Sequence, residues 1–135
     1  MQISKQSQIS VQIKIPLFAN GDVTSAADAT RIINETGANG VMIGRGAIGN
    51  PFVFSEIIAA LSDTPYAPPT LDKIKETALL HLNYAISDKG ESVAVLEARG
   101  QLSKYFHSFR GCAELRARIN KATTYSAVKD AIDSL

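Results

Sequence analysis

The chain has 135 residues and a formal net charge of +1, with 45% apolar and 20% charged residues, as in an ordinary soluble globular protein. A balance this close to neutral excludes nucleic-acid binding by bulk charge, so any RNA affinity has to come from a local patch. The single cysteine, Cys112, excludes an internal disulfide and fits a reducing, cytoplasmic setting, and neither a membrane-spanning apolar run nor the apolar core of a signal peptide is present.

Residues 1–14 are rich in Gln and Ser. Ile9, Val11 and Ile13 alternate with period two, as in a strand. The segment carries no chemical motif and reads as an atypical leader. From Ile15 to Ala19 the chain is apolar, with Pro16 at a position that a strand start tolerates. The run ends at Asn20-Gly21-Asp22. Thr24 is expected to cap a helix whose buried stripe is Ala29, Ile32 and Ile33, and Gly37 to stop it. Gly40 to Gly44 is a second apolar run, parallel to the first if the crossover is right-handed. Continuous apolarity predicts strands covered on both faces. Arg45 and a Gly46–Asn50 turn follow. Pro51 then opens a helix over 52–61, with Phe52, Ile57 or Ile58, and Leu61 facing the core.

Two apolar runs therefore end alike, in glycine followed by a charged residue. Ligands of α/β proteins sit at the carboxyl ends of strands. Glycine there lets a backbone N–H approach a phosphate, and arginine supplies paired donors to its oxygens. Asn20, Gly21 and Asp22, together with Gly44 and Arg45, are predicted to be two halves of one phosphate grip. These residues anchor a ligand and do no chemistry themselves, so no catalytic residue is expected among them.

Residues 63–69 hold three prolines and form a linker. Thr70 caps the next helix, with a stripe of Leu71, Ile74, Ala78, Leu82, Ala85 and Ile86 running to Lys89-Gly90. His81 beside this stripe reads as a structural histidine, since no second metal-type residue stands at a fitting spacing. A third helix is predicted over 91–109, with Val95, Ala98, Leu102, Phe106 and Phe109 as its core face and Gly111 as its end. Leu115 and Ile119 mark a fourth helix. Thr123 or Thr124 caps a last one, buried through Val128, Ile132 and Leu135. The whole of 70–135 is a small antiparallel bundle. Arg99, Lys104, Arg110, Arg116, Arg118 and Lys121 face only Glu114 in their stretch. That charge is either an electrostatic footprint for RNA or a solvated helix face.

The pattern Pro16-Leu-Phe-Ala-Asn-Gly-Asp22, then Gly37-Ala-Asn-Gly-Val-Met-Ile-Gly-Arg-Gly46, then Pro51-Phe-Val-Phe, closely resembles the bacterial tRNA-dihydrouridine synthase family. The resemblance implies an α/β plus all-α architecture. Residues 15–62 are the last two βα units of an FMN-binding (β/α)8 TIM barrel, and 70–135 are a helical tRNA-binding domain. It implies a flavoenzyme that reduces uridine in tRNA to dihydrouridine, with FMN as cofactor and NADPH as reductant. Asn20, Gly21, Asp22, Gly44 and Arg45 then contact the flavin phosphate, and Arg99, Lys104, His107 and Arg110 contact tRNA. The family's proton-donating cysteine has no match here, Cys112 lying among the helices, so the chain alone is expected to be inactive. Where many relatives carry a basic run after the arginine, this chain reads Arg99-Gly-Gln101. Other readings remain open: a different FMN-dependent barrel oxidoreductase, or a non-enzymatic helical RNA-binding module. The oligomeric state is open.

Overall fold

The computed structural model describes residues 15–135. The reading of 1–14 as an atypical leader lies outside the described residues. The chain divides into two compact units between Pro68 and Pro69.

In the first unit, β1 (Phe18–Asn20) is followed by α1 (Ala26–Thr36), β2 (Gly40–Met42), a 3-10 turn (Arg45–Ala47) and α2 (Val53–Leu61). The strands pair in parallel, with Phe18 opposite Gly40 and Asn20 opposite Met42. Their start is pinned by Asn39, whose amide N–H donates to the Leu17 carbonyl at 2.8 Å and whose side-chain oxygen accepts from the Leu17 amide at 2.9 Å. Phe18 lies over Gly40, where a Cβ would come within 2.8 Å of its ring.

The first strand begins at Phe18 rather than Ile15, and both strands are only three residues long. The expected burial of both faces is also corrected. One face meets α1, where Val41 and Ile43 pack beside the cluster of Val23, Ala29, Val53 and Ile57. The other leaves Phe18 66% and Met42 57% exposed. A two-stranded sheet has one helical layer to lean on, so period two decides which side chains are covered.

The cap of α1 is Ser25, not Thr24. Ser25 has extended backbone, and its hydroxyl accepts from the Asp28 amide. Asp28 answers by accepting from the Ser25 hydroxyl and from the Thr24 amide and hydroxyl, a capping box with aspartate in the third position. These donors, Ser25 first, hold the Asp28 carboxyl below the usual carboxylate range. Glu56 of α2 accepts from the Ala26 amide at 3.2 Å, satisfying another amide without a partner in its own helix. Gly37 ends α1 with φ +65°, the left-handed conformation in which glycine bears no Cβ penalty. On α2, Val53, Ile57 and Ala59 are buried, whereas Ile58 and Leu61 are exposed and Phe52 is intermediate. Full burial of a side chain such as Ile57 contributes about 1.5–3 kcal/mol.

The second unit contains α3 (Leu71–Lys89), α4 (Glu91–Tyr105), α5 (Cys112–Lys121) and α6 (Tyr125–Asp133). Thr70 and Thr124 cap α3 and α6 through their hydroxyls. Ile74, Ala78 and Leu82 of α3 and Val95, Ala98 and Leu102 of α4 are buried, as are Leu115, Ile119, Val128 and Ile132. His81 Nδ1 lies 3.3 Å from the Tyr105 hydroxyl, a polar tie between α3 and α4, and burial pushes the Tyr105 phenol up.

The helix expected over 91–109, α4, stops at Tyr105, four residues before Phe109. Phe106 leaves the helical region, with φ −114° and ψ 17°, and is fully buried. Anchoring that ring turns the chain early, and 106–111 becomes a loop closed by Gly111 at φ +85°. No helix among the described residues is long and apolar enough to cross a membrane.

Candidate functional site

The βα unit brings together the two corners that the sequence singles out. Gly21 to Val23 forms a tight turn at the end of β1, where the Val23 amide donates to the Gly21 carbonyl at 2.9 Å. Beyond β2, the 3-10 turn starts at Gly44. The Ala47 amide donates to the Gly44 carbonyl at 3.1 Å, and the Ile48 amide to the Arg45 carbonyl at 3.2 Å. The Arg45 guanidinium donates through Nη2 to Asp22 Oδ1 across 23 positions of sequence. Both side chains stand in solvent, 82% and 78% exposed, so the pair orients the arginine more than it stabilises the fold.

Gly46 makes this meeting of corners possible. A Cβ there would fall 2.2 Å from the Val23 carbonyl oxygen and 3.1 Å from the Thr24 Cα. The two turns thus touch backbone to backbone, which only glycine permits. Gly44 is the opposite case: a Cβ there would meet nothing within 4 Å. The space over Gly44 is open. The leading N–H groups of a helical turn have no partner inside the turn, and of the five guanidinium N–H groups only one is engaged by Asp22. Asp22 itself disfavours an incoming anion, so an anion here depends on the amides as well as on Arg45. The Arg45–Asp22 pair and the Gly46 contact join the two corners, whereas the hollow of about 480 Å³ between β1 and α1 is bordered by Asn20, Gly21 and Asp22 and not by Gly44 or Arg45.

The predicted RNA residues of the helical unit fare differently. Lys104 is exposed near the end of α4, but His107 and Arg110 do not continue its helix face. They stand, exposed, on the loop that begins at Phe106. His107 Nδ1 lies 2.8 Å from the Lys104 carbonyl, which folds the loop back over the helix end. Arg99 is half-buried and turned inward, with Nε 3.1 Å from the Ala122 carbonyl oxygen and Nη2 on the same oxygen. Arg118 is also engaged, with Ser134 and the Asp130 carbonyl. Among the described residues no group of three or more His, Cys, Asp or Glu side chains could hold a metal ion.

Sequence reasoning missed Gly46, the Asp28 lock and Glu56. The Ser25-x-x-Asp28 spacing was a readable capping signal. The contacts of Gly46 with Val23 and of Glu56 with Ala26 exist only once the chain is folded, and no local pattern announces them.

The dihydrouridine synthase (Dus) family profile matches residues 2–134. The chain is 37% identical over 112 residues to a probable tRNA-dihydrouridine synthase of Mycobacterium leprae, covering 82% of this chain and 29% of that protein. It is 36% identical over 134 residues to tRNA-dihydrouridine synthase B of Xanthomonas axonopodis pv. citri, covering 96% and 40%. With tRNA-dihydrouridine synthase B of Pseudomonas putida it shares 37% over 113 residues, covering 83% and 34%. The chain thus spans between 29% and 40% of the length of these relatives. On a match that runs through nearly all of its residues, the chain belongs to the dihydrouridine synthase family, a TIM-barrel family.

Proposed function

We propose that this chain supplies the flavin-phosphate grip and the RNA-holding helical unit of a tRNA-dihydrouridine synthase. Its βα segment is then the last two βα units of the barrel, at residues 15–62, followed by a linker over 63–69. The observation that carries the reading is the meeting of two strand-end corners at an arginine. The Arg45 guanidinium spans to Asp22, Gly46 seats one corner on the other, and the space over Gly44 is open. That donor set suits a phosphate monoester, as on FMN. When bound, FMN reduced by NADPH would supply the hydride for a uracil ring. The residues of this chain hold its phosphate and so fix where the rest of the cofactor sits. The names of the relatives, tRNA-dihydrouridine synthases, support tRNA as the substrate. In the helical unit, the exposed Lys104 and Arg110 present positive charge to its backbone, with the exposed His107 between them in sequence as a further hydrogen-bonding group.

A comparison of FMN with riboflavin tests the reading. The two differ only in the phosphate. In equilibrium titrations of the 135-residue chain, FMN is expected to bind at least about tenfold tighter, the weaker end of a charge-assisted contact worth about 1.5–3 kcal/mol. Equal binding of the two would refute the phosphate grip. The chain alone is expected to reduce no uridine.

A further inference from the structure

The turn between α5 and α6 is held by two opposite charges on α4. Ala122, which ends α5, offers its carbonyl to both Nε and Nη2 of Arg99. Three residues on, the Tyr125 amide opens α6 and donates to Glu91 Oε1 at 2.6 Å. A helix carries partial negative charge on its last carbonyls and partial positive charge on its first amides. Arg99 and Glu91 match both ends. They stand two turns apart on α4, so that one rigid helix grips the 122–125 turn at two points. Thr124 completes the α6 cap through the Ala127 amide, and Ala122 is itself buried.

We propose that Arg99 is a positioning residue: it clamps the α5–α6 hairpin to α4 together with Glu91 and neutralises no RNA phosphate. This rests on the reading of the helical unit as an RNA surface and narrows it. The Nε/Nη2 edge of the Arg99 fork, one of the two that can grip a phosphate side-on, is spent on a carbonyl. The exposed positive charge nearby is left to Lys104 and Arg110, with His107 on the same loop as Arg110. The clamp also sets where Arg116 and Lys121 of α5 stand, because α5 is tied to α4 at its C-terminal end through Ala122.

Thermal melting and salt-dependent tRNA binding of the 135-residue chain together test this. Arg99→Ala is expected to lower Tm by roughly 4 °C or more, as the loss of one half-buried, charge-assisted bond does in a unit of this size. Arg99→Lys should recover part of that loss, since an ammonium still suits a helix C-terminus. Glu91→Ala combined with Arg99→Ala should cost less than the two single losses added, because both grip one turn. The slope of log K against log salt should stay at the wild-type value in Arg99→Ala, whereas Lys104→Ala should reduce it by about 1. An unchanged Tm in Arg99→Ala, strict additivity with Glu91→Ala, or a slope reduced by about 1 would each overturn the proposal. If wild-type chain binds no tRNA, the RNA reading fails, and the melting and additivity measurements still decide the clamp. If Arg99→Ala does not fold, Arg99→Gln, which removes the charge and keeps a donor for the Ala122 carbonyl, carries both readouts.

Discussion

The two units solve the same problem with different completeness. In the helical unit, Phe106, Leu82, Leu102, Ile119 and Ile132 are all fully buried, whereas among the described residues of the βα unit the largest fully buried side chains are Val23 and Val53. The helical unit closes its core with its own residues. The βα unit covers one face of a short sheet and leaves Phe18 and Met42 open on the other. The difference teaches where specificity resides. In the helical unit the side chains set the packing. In the βα unit a smaller side-chain cluster of Val23, Ala29, Val53 and Ile57 is joined by backbone contacts, at Gly46 on Val23 and along the paired strands.

Both units nevertheless cap helices in the same way. Glu56 reaches from α2 to the first amide of α1, and Glu91 from α4 to the first amide of α6. In each case a carboxylate from a neighbouring helix meets an amide that has no partner within its own helix.

The largest effect separates the cores. Phe106→Ala should cost about 3–5 kcal/mol in urea unfolding of the helical unit. A loss below about 1 kcal/mol would mean that this unit is as loosely packed as the other. Next comes the corner. Gly46→Ala must push apart two backbones and should cost about 1–3 kcal/mol while weakening FMN binding. Gly44→Ala has free space and should leave stability nearly unchanged. If the two alanine variants behave alike in melting and FMN titration, the backbone seat at Gly46 has no special role.

The smallest effect is a pH dependence confined to the βα unit. The Asp28 carboxyl is lowered in the folded chain by its bonds from Ser25 and Thr24. Its contribution is therefore present above the unfolded value of about 3.9 and is lost as pH falls through the lower folded value. Acid titration of wild type against Asp28→Asn should show that increment in the former alone. Identical acid profiles would mean that the capping box adds no pH-dependent stability.

Much of this was legible in the sequence, for a physical reason. Glycine stops, threonine caps and apolar stripes act over a turn or two, so α3, α6, Gly37 and the glycine corners could be read directly. Errors arose where distant partners decide. Leu61 fits a helical stripe but is exposed, while of the pair Ile57 and Ile58 it is Ile57 that is buried. Phe106 fits the stripe of α4, yet its burial ends that helix and moves His107 and Arg110 onto a loop. Arg99 is indistinguishable in sequence from an exposed cation, and only the folded chain shows its fork on Ala122.

The central claim is that the corners at Asn20–Asp22 and Gly44–Gly46 hold one phosphate together with Arg45. It is tested most directly by following backbone amide resonances of the 135-residue chain during titration with FMN. The account predicts that the amides of Gly21, Asp22, Gly44, Arg45 and Gly46 shift together with one common affinity, and that Arg45→Ala weakens that affinity by about tenfold or more. Shifts confined to one corner, or an Arg45→Ala chain that binds FMN as tightly as wild type, would contradict it.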